Sequence, residues 1–259
     1  MLRSLLSRLK PETAPSSAPN GLPRPEAPIC VIGDLHGRAD LLGKMFERIG
    51  QEPEGAKARI ITLGDMIDRG PNSARVLATL HAAQLANPSR MICLMGNHER
   101  MMLDFLLSPD ARTAGWLRVG GLQTLQSYGI APPDPRETDP EVLDALRMDL
   151  ARALGPDLLA WLDARPAMWR EGRFAATHAG ADPYHPMERQ SRDALLWGHP
   201  RFGQMTRRDG VWIAFGHWVV EQPVADQGRI AVDTGAYETG LLSAAWLDKG
   251  GLRFLQVEG

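Results

Sequence analysis

Three short apolar runs, residues 29–32, 59–63 and 91–95, each stop at a glycine, and each is followed by a helical pattern, at 40–49, 73–85 and 100–107. A strand followed by a helix, three times over, requires parallel strands joined by helical crossovers, which places the chain in the α/β class. In such sheets ligands bind beyond the carboxyl ends of the strands. Here each terminal glycine is followed at once by polar residues.

The rest of the chain divides in two. Residues 110–165 have helical spacing, with Trp116, Leu117, Leu122 and Leu125, then Val142, Leu143, Leu146 and Leu150, then 158–162, and a proline-rich loop at 131–140 between them. From residue 166 the pattern turns to strands. Segments 168–170 and 173–177 flank Glu171 and Gly172 as a hairpin, and 211–215, 229–232, 241–247 and 252–257 follow. Residues 11–28 are rich in Pro, Ser and Ala and cannot bury enough apolar surface to offset ordering entropy, so residues 1–28 read as a disordered leader. Leu2, Leu5, Leu6 and Leu9 share one helix face beside basic residues, which would permit a weak docking helix; a frayed terminus is the plainer reading. Residues 29–259 then make one domain with a helical insertion at about 110–165.

Charge narrows the function. The formal net charge is −2 and no Lys/Arg cluster forms the footprint of a nucleic-acid binder, so nucleic acid is not an expected partner. No apolar run approaches the roughly 20 residues that span a bilayer, so no stable membrane insertion is expected. Arg3, Ser7 and Arg8 break up the leucines that a signal peptide would keep continuous. Cys30 and Cys93 lie in apolar runs, as small core hydrophobes of a reducing compartment, and the expected location is the cytoplasm.

The chemistry sits at the strand ends. In GDLHG, Asp34 and His36 are one residue apart, where alternate side chains converge; a carboxylate with an imidazole suits Mn²⁺, Fe or Zn²⁺ better than Ca²⁺. In GDMIDRG, Asp65 occupies the place of Asp34 on a second strand, and two carboxylates aimed at one point need cations to neutralise them. Asp68-Arg69-Gly70-Pro71 would by itself be a helix-capping turn. In GNHE, Asn97 can complete a metal shell without adding charge, and a His98 that is not a ligand can serve as an acid.

GDLHG, GDMIDRG and GNHE together resemble the signature of the calcineurin-like metallophosphoesterases, in particular the bacterial and phage phosphoprotein phosphatases. His178 in THAG and His217 in FGHW match two further family histidines, and NHERMMLDFL, WLRVGGLQTLQSYG and AVDTGAYETGLLSAAWL extend the likeness from about residue 29 to the end. The resemblance implies two mixed β-sheets sandwiched together and flanked by helices. It also implies two divalent metal ions, Mn²⁺ first and Fe or Zn²⁺ otherwise. Asp34, His36 and a bridging Asp65 would hold one, and Asp65, Asn97, His178 and His217 the other.

On that reading a hydroxide shared by two metals about 4 Å apart is the nucleophile. His98 is the general acid, Asp68 orients it, and Arg69 clamps phosphate oxygens. The family's second phosphate-binding Arg, two residues after a Trp, is absent. After Trp197 that position holds His199, and the nearest guanidinium is Arg201, either a displaced clamp or an exposed ion-pairing residue. His81, His185, Trp116, Trp161, Trp212 and Trp246 receive no chemical role.

The expected substrate is a phosphorylated protein, through serine/threonine phosphatase activity, or a small phosphate compound. Symmetrical dinucleoside tetraphosphate hydrolysis is the alternative, and a non-catalytic phosphate-sensing scaffold the alternative of another class. GNHE in place of GNHD, and the presence of Asp68, favour the phosphatase.

Overall fold

In a computed structural model that describes residues 21–259, strand β1 (Ile29–Ile32) leads into helix α1 (Ala39–Gly50), β2 (Arg59–Thr62) into α2 (Ser73–Ala86), and β3 (Met91–Cys93) into α3 (Asn97–Leu107). The possible docking helix within residues 1–20 lies outside the described residues. A helical stretch follows, with a five-residue π turn (Leu117–Gly121), α4 (Leu122–Ser127) and α5 (Pro140–Asp163). The remainder is β4 (Met168–Glu171), β5 (Phe174–Thr177), α6 (Arg192–Trp197), β6 (Trp212–Phe215), β7 (Val224–Asp226), β8 (Arg229–Ala231), α7 (Ala236–Thr239), β9 (Leu241–Asp248) and β10 (Gly251–Glu258).

The strands form two mixed sheets, ordered β10-β9-β1-β2-β3 and β4-β5-β6-β8-β7. In the first, β1, β2 and β3 are parallel; in the second, β5, β6 and β8 are. Their other neighbours are antiparallel. This is the α/β sandwich expected of the family.

The period-two alternation of β1 shows how the layers are sewn together. Ile29 and Val31 face a core between the sheets, with Ile61, Leu63, Phe174, Ala176, Ala214 and Ile230. Cys30 and Ile32 face the opposite way, into a core shared with Leu41, Met45, Val76, Leu77, Met102 and Trp246 under the helices. A third cluster, around Ile213, Phe215, Leu195 and Phe202, covers the far side of the second sheet. Both cysteines are buried and free, and burial pushes the Cys93 thiol up to about 12.

Helix α3 starts three residues before the expected Arg100 because Glu99 reaches back to accept from the Gly96 amide at 2.9 Å, capping the first turn. Asn97 and His98 therefore sit on a rigid helical turn. The two helices expected between 142 and 162 run together as α5, broken in conformation at Gly155 (φ 73°) ahead of Pro156. Strand β7 and helices α6 and α7, too short to carry a period, went unread in the sequence. No helix among the described residues is long and apolar enough to cross a membrane.

Candidate metal centre

Six parallel strands, three from each sheet, end at one place. Asp34 and His36 follow β1, Asp65 follows β2, Asn97 follows β3, His178 follows β5, His217 follows β6, and Asp233 follows β8. The chain bends sharply to bring them together. Among the described residues six non-glycines have positive φ, and five are here: His36 (41°), Asp65 (45°), Asp68 (72°), Arg69 (67°) and His217 (65°). Such strain persists only where surrounding contacts enforce it, and it gathers at functional sites.

Glycines allow the close approach. A Cβ on Gly96 would lie 2.2 Å from the Asp65 amide nitrogen, and one on Gly216 would lie 1.9 Å from Asp34 Oδ1. The buried Glu99 carboxylate then accepts from the amides of Asp65 (2.9 Å), Met66 (2.8 Å) and Gly96 (2.9 Å), with Ile67 at 3.3 Å, tying the β2 and β3 loops together.

Among the described residues, two groups of side chains could hold a metal ion. Asp65, His178 and His217 form one, joined by Asn97, whose Oδ1 lies 2.7 Å from His178 Nε2 and 3.1 Å from His217 Nδ1. His178 Nδ1 faces the Leu63 carbonyl at 3.0 Å and must donate there, because a carbonyl only accepts. In a neutral ring the Nε2 lone pair is then aimed at another acceptor, and a cation between them turns that repulsion into coordination.

His36 and Asp65, with His98, form the other group. His36 Nδ1 donates to the Ile67 carbonyl at 2.8 Å, leaving Nε2 bare at 3.4 Å from Asp65 Oδ2. Asp34 accepts from the His217 amide through Oδ2 at 2.9 Å, while its Oδ1 is buried without a partner. An orphaned carboxylate oxygen among bare imidazole nitrogens fits a bound cation.

The four histidines titrate in two directions. Burial pulls His36 down to about 3 and His217 to about 4, and lowers His178 as well, which favours the neutral imidazole that metal coordination would require. Burial pulls on His98 too, but the charge of Asp65 and the hydrogen bond with Asp68 outweigh it and leave its pKa raised. Among the four, only His98 is shifted upward. Its Nδ1 is 2.7 Å from Asp68 Oδ2, and its Nε2 faces the Arg69 guanidinium at 3.3 Å.

Burial and mutual repulsion shift the carboxylates. Burial, then the charges of Asp233 and Asp65, raise Asp34 well above its ordinary value, and Asp233 is pushed up to about 6, chiefly by burial. Asp65 goes the other way: burial would raise it, but the protonated forms of the surrounding histidines, His178 first, outweigh that at the low pH where it titrates and lower it.

A match to the family described as calcineurin-like phosphoesterase spans residues 27–235. The chain belongs to that family. As a calcineurin-like phosphoesterase it is a hydrolase of a class that uses divalent metals. It is 28% identical over 240 residues to an asymmetrical bis(5'-nucleosyl)-tetraphosphatase of Geobacillus thermodenitrificans, covering 83% of this chain and 89% of that one. It is 40% identical to a provisionally named serine/threonine-protein phosphatase of Caenorhabditis elegans, over 74 residues, 29% of this chain and 20% of that one. Its fold matches a provisionally named diadenosine tetraphosphatase with a TM-score of 0.61 at 19% identity, covering 92% of this chain and 96% of the other.

The structure brings together Asp34, His36, Asp65, Asp68, Arg69, Asn97, His98, His178 and His217, all named from the sequence. It does not bring in Arg201, which is exposed and donates to Gln204 Oε1 at 2.9 Å, nor His199, whose Nε2 lies 3.9 Å from Asp182. Sequence reasoning missed Asp233, although an apolar strand ending in a carboxylate repeats the pattern that picked out Asp34. It also missed Tyr237, whose ring packs edge-on to His36 at 5.2 Å and under Arg69 at 4.7 Å. Trp116, assigned only to the core, is buried there but also donates its Nε1 to Asp68 Oδ2 at 2.7 Å.

Proposed function

We propose that this calcineurin-like phosphoesterase is a cytoplasmic phosphomonoester hydrolase acting on phosphoserine and phosphothreonine in proteins. Asp34, His36, Asp65, Asn97, His178 and His217 would hold two divalent ions, Mn²⁺ first, since mixed oxygen and nitrogen donors also admit Fe and Zn²⁺. When bound, such a pair supplies Lewis acidity toward phosphate oxygens and lowers the pKa of an attacking water.

The observation that carries this reading is the Asp68–His98 pair, in which the one histidine of raised pKa points its Nε2 beside Arg69. Arg69 presents a planar fork to the phosphate oxygens. As water oxygen joins phosphorus and the P–O bond of the leaving group breaks, His98 Nε2 gives its proton to the departing oxygen and Nδ1 keeps its own toward Asp68. The proton shed by the attacking water restores His98. A serine alkoxide is a far stronger base than the phosphate that leaves a polyphosphate, so a positioned donor suits the ester best.

Dinucleoside tetraphosphate hydrolysis is the second reading, favoured by the near-full-length tetraphosphatase relative. GNHE does not decide between them, because Glu99 is spent on backbone amides and faces no substrate. Turnover of a phosphoserine peptide and of diadenosine tetraphosphate by one Mn²⁺-loaded preparation separates the two. Preference for the peptide is expected, and a strong preference for the dinucleotide overturns the first reading.

A further inference from the structure

The geometry points to residues 116–124, entering from outside both sheets, as the device that positions the acid and the clamp, with Trp116 and Thr124 as positioning residues for His98. This rests on the reading of His98 as proton donor.

Asp68 and Arg69 both have left-handed backbone, at φ 72° and 67°, so they stay in place only if something holds them. Three of their partners, Trp116, Gly120 and Thr124, come from this one segment. Thr124 Oγ1 donates to Asp68 Oδ1 at 2.6 Å, and Trp116 Nε1 donates to Asp68 Oδ2 at 2.7 Å. The Asp68 amide donates to Thr124 Oγ1 at 3.0 Å and to Ser73 Oγ at 3.0 Å, and the Arg69 amide to the Gly120 carbonyl at 3.3 Å. Gly120 is itself left-handed (φ 132°), and a Cβ there would lie 2.7 Å from the Arg69 nitrogen and 2.8 Å from Asp68 Cβ, so glycine is what lets this carbonyl approach.

Donors on two different oxygens fix the plane of the Asp68 carboxylate, and His98 Nδ1, the third partner, takes its direction from that plane. The indole cannot follow if the carboxylate turns. It is fully buried, packed on Phe105 at 5.5 Å, and a Cβ on Gly121 would lie 2.6 Å from its ring. Releasing either donor would let the carboxylate rotate and carry His98 Nε2 away from the leaving oxygen, with no metal ligand disturbed. A merely structural pair of donors would instead weaken every reaction at the site alike.

The variants are Trp116→Phe and Thr124→Val, with Thr124→Ser as the conservative control and His98→Ala as the reference, each Mn²⁺-loaded and assayed for metal content. Each is given an alkyl phosphate, whose leaving group needs a proton, and 2,4-dinitrophenyl phosphate, whose leaving group does not. The expected result is a tenfold or larger fall in the alkyl-to-dinitrophenyl kcat ratio for Trp116→Phe and Thr124→Val, near-wild-type KM and Mn²⁺ content, and recovery in Thr124→Ser. Equal losses on both substrates overturn the inference, as does an unchanged ratio. Should Trp116→Phe not fold, Thr124→Val decides alone. A His98→Ala variant with an unchanged ratio instead removes the general acid itself, a failure distinguishable from that of the positioning residues.

Discussion

Asp68 Oδ2 lies 2.7 Å from His98 Nδ1 in the buried floor of the centre, and that contact leaves Nε2 as the only ring nitrogen of His98 turned toward Arg69. The arrangement holds the imidazole in one direction, with Asp68 on Nδ1 and the Arg69 guanidinium donating to the Nε2 lone pair, the nitrogen that would take up and hand on a proton. His98→Ala is expected to lower kcat for a phosphoserine peptide by about 10²–10⁴-fold while Mn²⁺ content stays at the wild-type level. Asp68→Asn should cost about 10–100-fold, since it orients rather than transfers. Unchanged turnover in His98→Ala with full metal content would show that the centre does not use this acid.

How far the centre could be read in advance depended on how local each signal was. Asp34, His36, Asp65, Asn97 and His98 each stand within a few residues of an apolar run that stops at glycine, so strand, turn and ligand announce one another. His178 and His217 needed the family resemblance, because THAG and FGHW carry no ligand pair of their own. Trp116 and Thr124 are about fifty residues from Asp68 in sequence and meet it only through tertiary packing. Their spacing records a buried helix face and nothing of the carboxylate they hold. Glu99 was visible in GNHE, but its job, accepting from the backbone of another strand's loop, is written in no local pattern.

Metal binding should be linked to protons with a definite sign. In the metal-free protein burial, with the charge of Asp65 next, raises Glu99 to about 8, and Asp233 stands at about 6. Asp34 is raised as well, while His36 and His217 are lowered to about 3 and 4 and bring no protons to displace. Cations favour the anionic carboxylates, so Mn²⁺ uptake should release protons and tighten as pH rises from about 6 to 8. Because these folded-state values exceed the unfolded ones, the metal-free protein should lose stability from about pH 4, where the unfolded carboxyls ionise, up to about pH 8, where folded Glu99 does, and Mn²⁺ should restore it. Calorimetric titration in two buffers of different ionisation enthalpy measures the released protons. An affinity that is flat or falling with pH would contradict the assignment.

Glu99 offers a stability test separate from catalysis. Replacing it with Ala strips the acceptor from three close backbone amides and a fourth at 3.3 Å, all buried where water does not readily enter. Relief of its repulsion with Asp65 returns part of the cost, so the net loss in the metal-free protein is expected to be about 3 kcal/mol. Urea unfolding without metal reads it directly. A midpoint equal to or above the wild type would mean that the β2 and β3 loops do not depend on this carboxylate.

Gly216 tests whether Asp34 must stay where it is for metal to bind. A methyl group at this position would lie 1.9 Å from Asp34 Oδ1, far inside contact distance, and Gly216 also donates its amide to the His178 carbonyl at 2.8 Å. Both groups belong to strand ends that the core between the sheets holds fixed, so the backbone cannot yield cheaply and the carboxylate must swing aside. On the proposed ligand set, moving Asp34, which carries the buried oxygen without a partner, would remove an anionic ligand and leave His36 and Asp65. Gly216→Ala is therefore expected to keep its far-ultraviolet circular dichroism, to retain less Mn²⁺ after desalting, and to lose about 10²-fold or more in kcat, the scale on which misplacement of a reacting group is felt. Wild-type metal retention in a folded Gly216→Ala protein would place the cation away from Asp34 Oδ1.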